Sequence, residues 1–69
     1  MKPFYEAHMY GQNSAYFQSK ENAHNYIWQL YLKVHGGQPQ NEIEKVYKEF
    51  AETDSIPNFG QIFAYIFKD

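Results

Sequence analysis

The spacing of apolar positions changes period along this chain, and each change marks an expected element. Residues 3–10, PFYEAHMY, alternate, with Tyr5, Ala7 and Met9 on one side and Phe4, Glu6, His8 and Tyr10 on the other. A period of two with many aromatic residues predicts a β-strand resting one face on a core. Gly11-Gln12-Asn13-Ser14 is a turn cluster, and Ala15-Tyr16-Phe17-Gln18 is a second short extended run. The two runs read as a β-hairpin. A short helix from Pro3 stopped by Gly11 is the competing reading.

From Ser19 the period becomes helical. Ala23, Tyr26, Ile27, Leu30, Tyr31 and Val34 form one apolar stripe. Ser19 suits the N-cap and Glu21 the positive end of the helix dipole, while Lys33 and His35 suit the negative end. Gly36-Gly37 supplies the stop. After the connector Gly36–Gln40, a second helix is expected from Asn41 to about Thr53. Asn41 and Glu44 have the spacing of a capping box, and Ile43, Val46, Tyr47 and Phe50 make a single stripe. Its remaining positions are charges of mixed sign, with Glu44 and Lys48 in the favourable i, i+4 order, which reads as a solvated face.

Asp54–Asn58 reads as a linker turn. The last segment, FGQIFAYIFKD, satisfies two templates. As a strand it places Ile62, Ala64 and Ile66 on one face and Phe63, Tyr65 and Phe67 on the other. As a helix it gathers Phe59, Ile62, Phe63, Ile66 and Phe67. A two-stranded hairpin alone is marginal, which favours a third strand. A helix leaves fewer rings in water, and this tips the balance slightly its way. The expected fold is therefore α+β: an N-terminal β-hairpin packed on two helices (about 19–35 and 41–53). Segment 58–67 is then a third helix or a third antiparallel strand.

Composition narrows what such a fold can do. Sixty-nine residues make one small domain, which buries only about 60% of its unfolded surface. With no cysteine, disulfides and thiol chemistry are excluded and an intracellular setting is favoured. Seven Tyr, six Phe and one Trp supply the apolar mass instead. The first residues hold no apolar signal region, and no segment approaches the roughly 20 apolar residues of a membrane span. A soluble, cytoplasmic protein without a membrane partner is expected. The residue bias also suits a low-GC bacterium, a phage or another mobile element.

Charge excludes more. The net charge is −2 and every basic residue is a lysine. Without the arginine fork that reads guanine edges and clamps phosphates, a duplex reader is not expected, and nucleic acid is the less favoured partner. The acidic excess is equally too small for a DNA mimic.

Candidate chemistry is sparse. His8, His24 and His35 lack the spacing that puts two imidazoles on one helical turn, so no metal and no cofactor are expected. There is no nucleophile elbow and no phosphate-binding glycine loop. Glu6 and His8 share a strand face and have the types of an acid–base pair, although a plain surface pair is the preferred reading. The chain is expected not to be an enzyme.

Two aromatic features remain. His24, Trp28, Leu32 and His35 form a second strip on the first helix, displaced from its main stripe. Half of its reading is structural, as the second packed face of a helix lying between two elements. The other half is a docking surface, with Trp28 as anchor, Tyr31 and Leu32 as support, and His24 and His35 as rim. The second feature is a stacking platform for single-stranded nucleic acid, from Phe4, Tyr10 and Tyr16, joined by Phe63 and Tyr65 if the last segment is a strand. The lysines that would track its phosphates, Lys2, Lys20 and Lys68, are scattered. The preferred expectation is a non-enzymatic protein-binding module. It would be a phage or mobile-element accessory protein that inhibits a larger host protein by covering its surface, such as a polymerase, a nuclease or a CRISPR effector. The alternatives are a single-strand binder and a self-associating subunit, for which the strip would be a homodimer contact.

Overall fold

The computed structural model describes residues 2–67, with side chains described from Pro3 to Ile66. The elements in chain order are β1 (Lys2–Met9), β2 (Ala15–Phe17), α1 (Lys20–His35), α2 (Gln40–Thr53), β3 (Ser55–Ile56) and β4 (Gly60–Phe67). The strands form one antiparallel sheet in the order β2-β1-β4-β3, giving an α+β fold. No helix among the described residues is long and apolar enough to cross a membrane.

The hairpin of β1 and β2 forms as its alternation predicts, in the register Tyr5↔Phe17, Glu6↔Tyr16 and Ala7↔Ala15. The C-terminal segment is a strand, against the slight preference for a helix. Backbone satisfaction explains the outcome: β2 is three residues long and serves only part of one edge of β1. β4 serves the other edge along its full length, from Lys2↔Phe67 to Met9↔Gly60. A helix there would have left that row of N–H and C=O groups without partners. The stretch read as a linker turn also contains β3, which pairs with β4 through Ser55↔Gln61 and Ile56↔Gly60.

Both strand faces follow the alternation. Ala7 and Met9 are buried beneath the helices, with Ile62 and Gly60 opposite them on β4. They join Ala23, Ile27, Tyr31, Phe50 and Ile56 in the buried apolar set. Gly60 has a steric reason. A Cβ there would lie 2.8 Å from Met9 Sδ and 2.9 Å from the His8 carbonyl oxygen, inside normal contact.

The helix ends differ in detail from expectation. Ser19 caps α1 by accepting from the Asn22 N–H at 3.2 Å. Gly36 stands at the end of α1, yet in a right-handed conformation (φ −64°), so the stop needs no left-handed glycine. Asn41 is not the cap of α2, because Gln40 is already helical and Pro39 is the N-cap. The Pro39 carbonyl accepts from the N–H groups of Glu42 and Ile43, and no side chain caps this end. Proline fixes φ at this position (−54°) and has no N–H to satisfy, while ψ stays extended at 144° ahead of the first helical residue. The left-handed residue is Asp54 (φ 60°), whose N–H donates to the Phe50 carbonyl and closes α2.

Candidate functional site

The five residues expected to form one docking surface differ in burial and in the neighbours they touch. Tyr31 is buried, 5% exposed, and its hydroxyl donates to Gln38 Oε1 at 3.0 Å. His24 packs on the Phe50 ring (centroids 4.2 Å apart) and places Nε2 2.9 Å from Asp54 Oδ1. His35 turns the other way, toward Tyr31 and Phe59, and lines a cleft of about 390 Å³ with Val46 and Ile56. Trp28 and Leu32 line a shallow groove of about 430 Å³ with Ile43, Glu44 and Tyr47.

Trp28 is half-buried between the helices, stacked on Tyr31 (5.1 Å) and meeting Tyr47 edge-on (4.9 Å). The strip is thus largely the seam by which α1 receives α2. Its polar end is a small charge cluster, with the Asp54 carboxylate accepting from His24 and lying 3.0 Å from Lys20 Nζ. Burial pushes the Asp54 carboxyl up, but the hydrogen bonds and charges of His24 and Lys20 outweigh this and hold it below its ordinary range.

The uncovered aromatic surface lies on the opposite side, on the sheet face turned away from the helices. The register places Phe4, Glu6 and His8 of β1, Tyr16 of β2, and Gln61, Phe63 and Tyr65 of β4 on that face. Tyr10 follows directly after β1 and donates to Gln61 Oε1 at 3.4 Å. Tyr16 is 63% exposed, and Tyr10, Tyr65 and Phe63 between 46% and 39%. Phe4 stacks on Tyr65 at 5.0 Å, and His8 lies 6.0 Å from Phe63. All five rings of the expected platform are therefore on one surface, because the last segment is a strand in this register.

At the centre of the face is Glu6, with 14% of its side chain accessible. Its Oε1 accepts from the Tyr65 hydroxyl at 2.8 Å and its Oε2 accepts from the Ser14 hydroxyl. Ser14 has one proton and gives it to Glu6, so the 3.3 Å contact between Ser14 Oγ and His8 Nδ1 requires the histidine to donate. The hydrogen bonds from Ser14 and then Tyr65 lower the Glu6 carboxyl, and the bond to Glu6 raises the Tyr65 phenol. Glu6 is thereby held as an anion with two donors committed to it. Both oxygens of the Glu6 carboxylate are thus already engaged by hydroxyl donors. Ser14 escaped the sequence reading because it reaches Glu6 only through the β1–β2 connection.

The four lysines with described side chains, Lys20, Lys33, Lys45 and Lys48, belong to the two helices. Of the others named for the platform, the Lys2 side chain and Lys68 lie outside the described residues. Among the described residues no group of three or more His, Cys, Asp or Glu is placed to hold a metal ion. Comparison with known protein-family models, curated proteins and solved structures finds no match to this chain.

Proposed function

We propose that the chain is a small, cytoplasmic, non-enzymatic protein-binding module that docks a larger protein through the open face of its sheet. One observation carries the reading: Tyr10, Tyr16, Phe63 and Tyr65 are exposed together around a half-buried, hydrogen-bonded carboxylate. Tyrosine-rich surfaces bind well because each ring offers large contact area with little rotamer entropy to lose. Cross-strand packing and the hydrogen bonds to Gln61 and Glu6 hold several of these rings before any partner arrives, which lowers the ordering cost of association. Binding would act by occlusion, as an accessory protein of a phage or mobile element covers a host enzyme.

The test is affinity capture from the native host with the wild-type chain, the Tyr16→Ala/Phe63→Ala pair and a Trp28→Phe control. The expected outcome is one partner retained by wild type and control and lost by the pair. A partner that still binds the pair with undiminished affinity would move the interface elsewhere.

A second reading has its own observation, the gathering of Phe4, Tyr10, Tyr16, Phe63 and Tyr65 on one face, which suits base stacking. Charge argues against it, since the centre of that face is an anion and the described lysines lie on the helices. Binding to a thymidine oligomer that weakens steeply with salt would favour this reading, and no binding at low salt would remove it.

A further inference from the structure

The two edges of the sheet are protected unequally. In an antiparallel ladder the N–H and C=O of a residue point the same way, and the direction alternates along the strand. The Ile62 N–H donates to the Asp54 carbonyl at 2.8 Å, so Ile62 directs its backbone groups away from β1. Ala64 and Ile66 therefore direct theirs outward as well. β3 pairs only with Gly60 and Gln61, and among the described residues no strand lies beyond Ala64 and Ile66. Both residues are exposed, Ile66 at 65%.

At the opposite edge, the outward position of β1 beyond β2 is Pro3, which has no N–H to offer, and β2, three residues long, directs only the groups of Tyr16 outward. Residues 62–66, IFAYI, carry no proline, glycine or charge. An uncharged edge with unpaired donors and acceptors is a template for another strand.

We propose that this edge of β4 pairs with the same edge of a second copy of the chain, antiparallel, about a twofold axis through Tyr65. Of the twofold pairings open to this edge, this arrangement engages the outward groups of both Ala64 and Ile66. Ala64 of each copy falls opposite Ile66 of the other, and the two pairs exchange four backbone hydrogen bonds, using every outward group of both residues. Tyr65 meets its counterpart across the axis on the open face. Ile66 covers Ala64 of the other copy on the helix-facing side. A twofold contact closes on itself, so the assembly stops at two. The product is an eight-stranded sheet whose two open faces run together. The contact is smaller than a standard protein interface, so the dimer is weak and depends on concentration. Its existence is independent of what the open face binds.

The test is sedimentation equilibrium from about 10 μM to about 1 mM, the range in which such contacts populate. It is combined with amide hydrogen exchange at the two ends of that range. The expected result is an average mass rising from one chain toward two. The Ala64 and Ile66 amides should slow severalfold at high concentration, while those of Phe63 and Tyr65, directed to β1, are slow throughout. Ala64→Pro removes an outward N–H that no ladder bond within the chain uses, and Ile66→Lys puts a charge on the edge. Each should hold the chain at the single-chain mass. If the proline variant does not fold, the lysine variant and the wild-type exchange data decide. One mass at every concentration, association that leaves both amides fast, or a dimer that survives either folded variant overturns the proposal.

Discussion

Replacing Phe50 by alanine should remove most of what holds α2 to the rest of the fold. Phe50 is 1% exposed and is the one buried residue of α2. Its ring packs on His24 at 4.2 Å and lies 6.5 Å from Trp28, whereas Ile43 and Val46 are half-buried and Tyr47 is 54% exposed. Truncating a buried phenylalanine costs about 3–5 kcal/mol. A folded chain of 69 residues, at about 0.05–0.15 kcal/mol per residue, has roughly 3–10 kcal/mol in all. The variant should therefore stand near the edge of unfolding at room temperature. Urea denaturation followed by the fluorescence of the single tryptophan reads this directly, because Trp28 shares the seam with Phe50. Far-UV circular dichroism supplies a second probe. The urea midpoint should fall by about a third or more, with the two probes coincident if the unfolding is cooperative. A loss below about 1 kcal/mol would refute the reasoning and mean that α2 is held by contacts other than this ring.

Other expectations concern charge and packing. The Asp54 carboxyl is lower in the folded state than its unfolded value of about 3.9, so its contribution is complete above that value and is lost as pH falls through the folded one. Melting temperatures from pH 2 to 7 should show a shallower acid limb in Asp54→Asn than in wild type, and equal limbs would contradict the cluster. The Tyr65 phenol, raised chiefly by its bond to Glu6, should titrate later in an ultraviolet titration of wild type than in Glu6→Gln. An unchanged curve would break the Glu6–Tyr65 link. Gly60→Ala should destabilise by about 1–3 kcal/mol in denaturant titration, because its Cβ meets backbone as well as the Met9 side chain. Trp28→Ala should cost about 2–4 kcal/mol through the lost contacts with Tyr31, Tyr47 and Phe50, and an undiminished midpoint would return the indole to the role of a free anchor.

Local pattern by itself determined the identity of most elements here. The alternation of residues 3–10 assigned both faces of β1 and Ser19 started α1; the stripes of both helices named Ala23, Ile27, Tyr31 and Phe50 as inward residues, while Val34 and Tyr47 of the same stripes are exposed. These are properties of period and capping, which act over a few residues and can be read along the chain. Tertiary structure decided what depends on a distant partner. Segment 60–67 fits helix and strand alike until the unpaired edge of β1 selects the strand. That choice then gathers the platform rings on one face and leaves Ala64 and Ile66 at an edge. The strip around Trp28 was legible as surplus apolar surface, but which neighbour covers it was not, because the arrival of α2 is set by the turn at Asp54 and the Phe50 ring. A side chain's type and spacing are local quantities. Whether it meets water, its own core or another molecule depends on which element the fold brings over it.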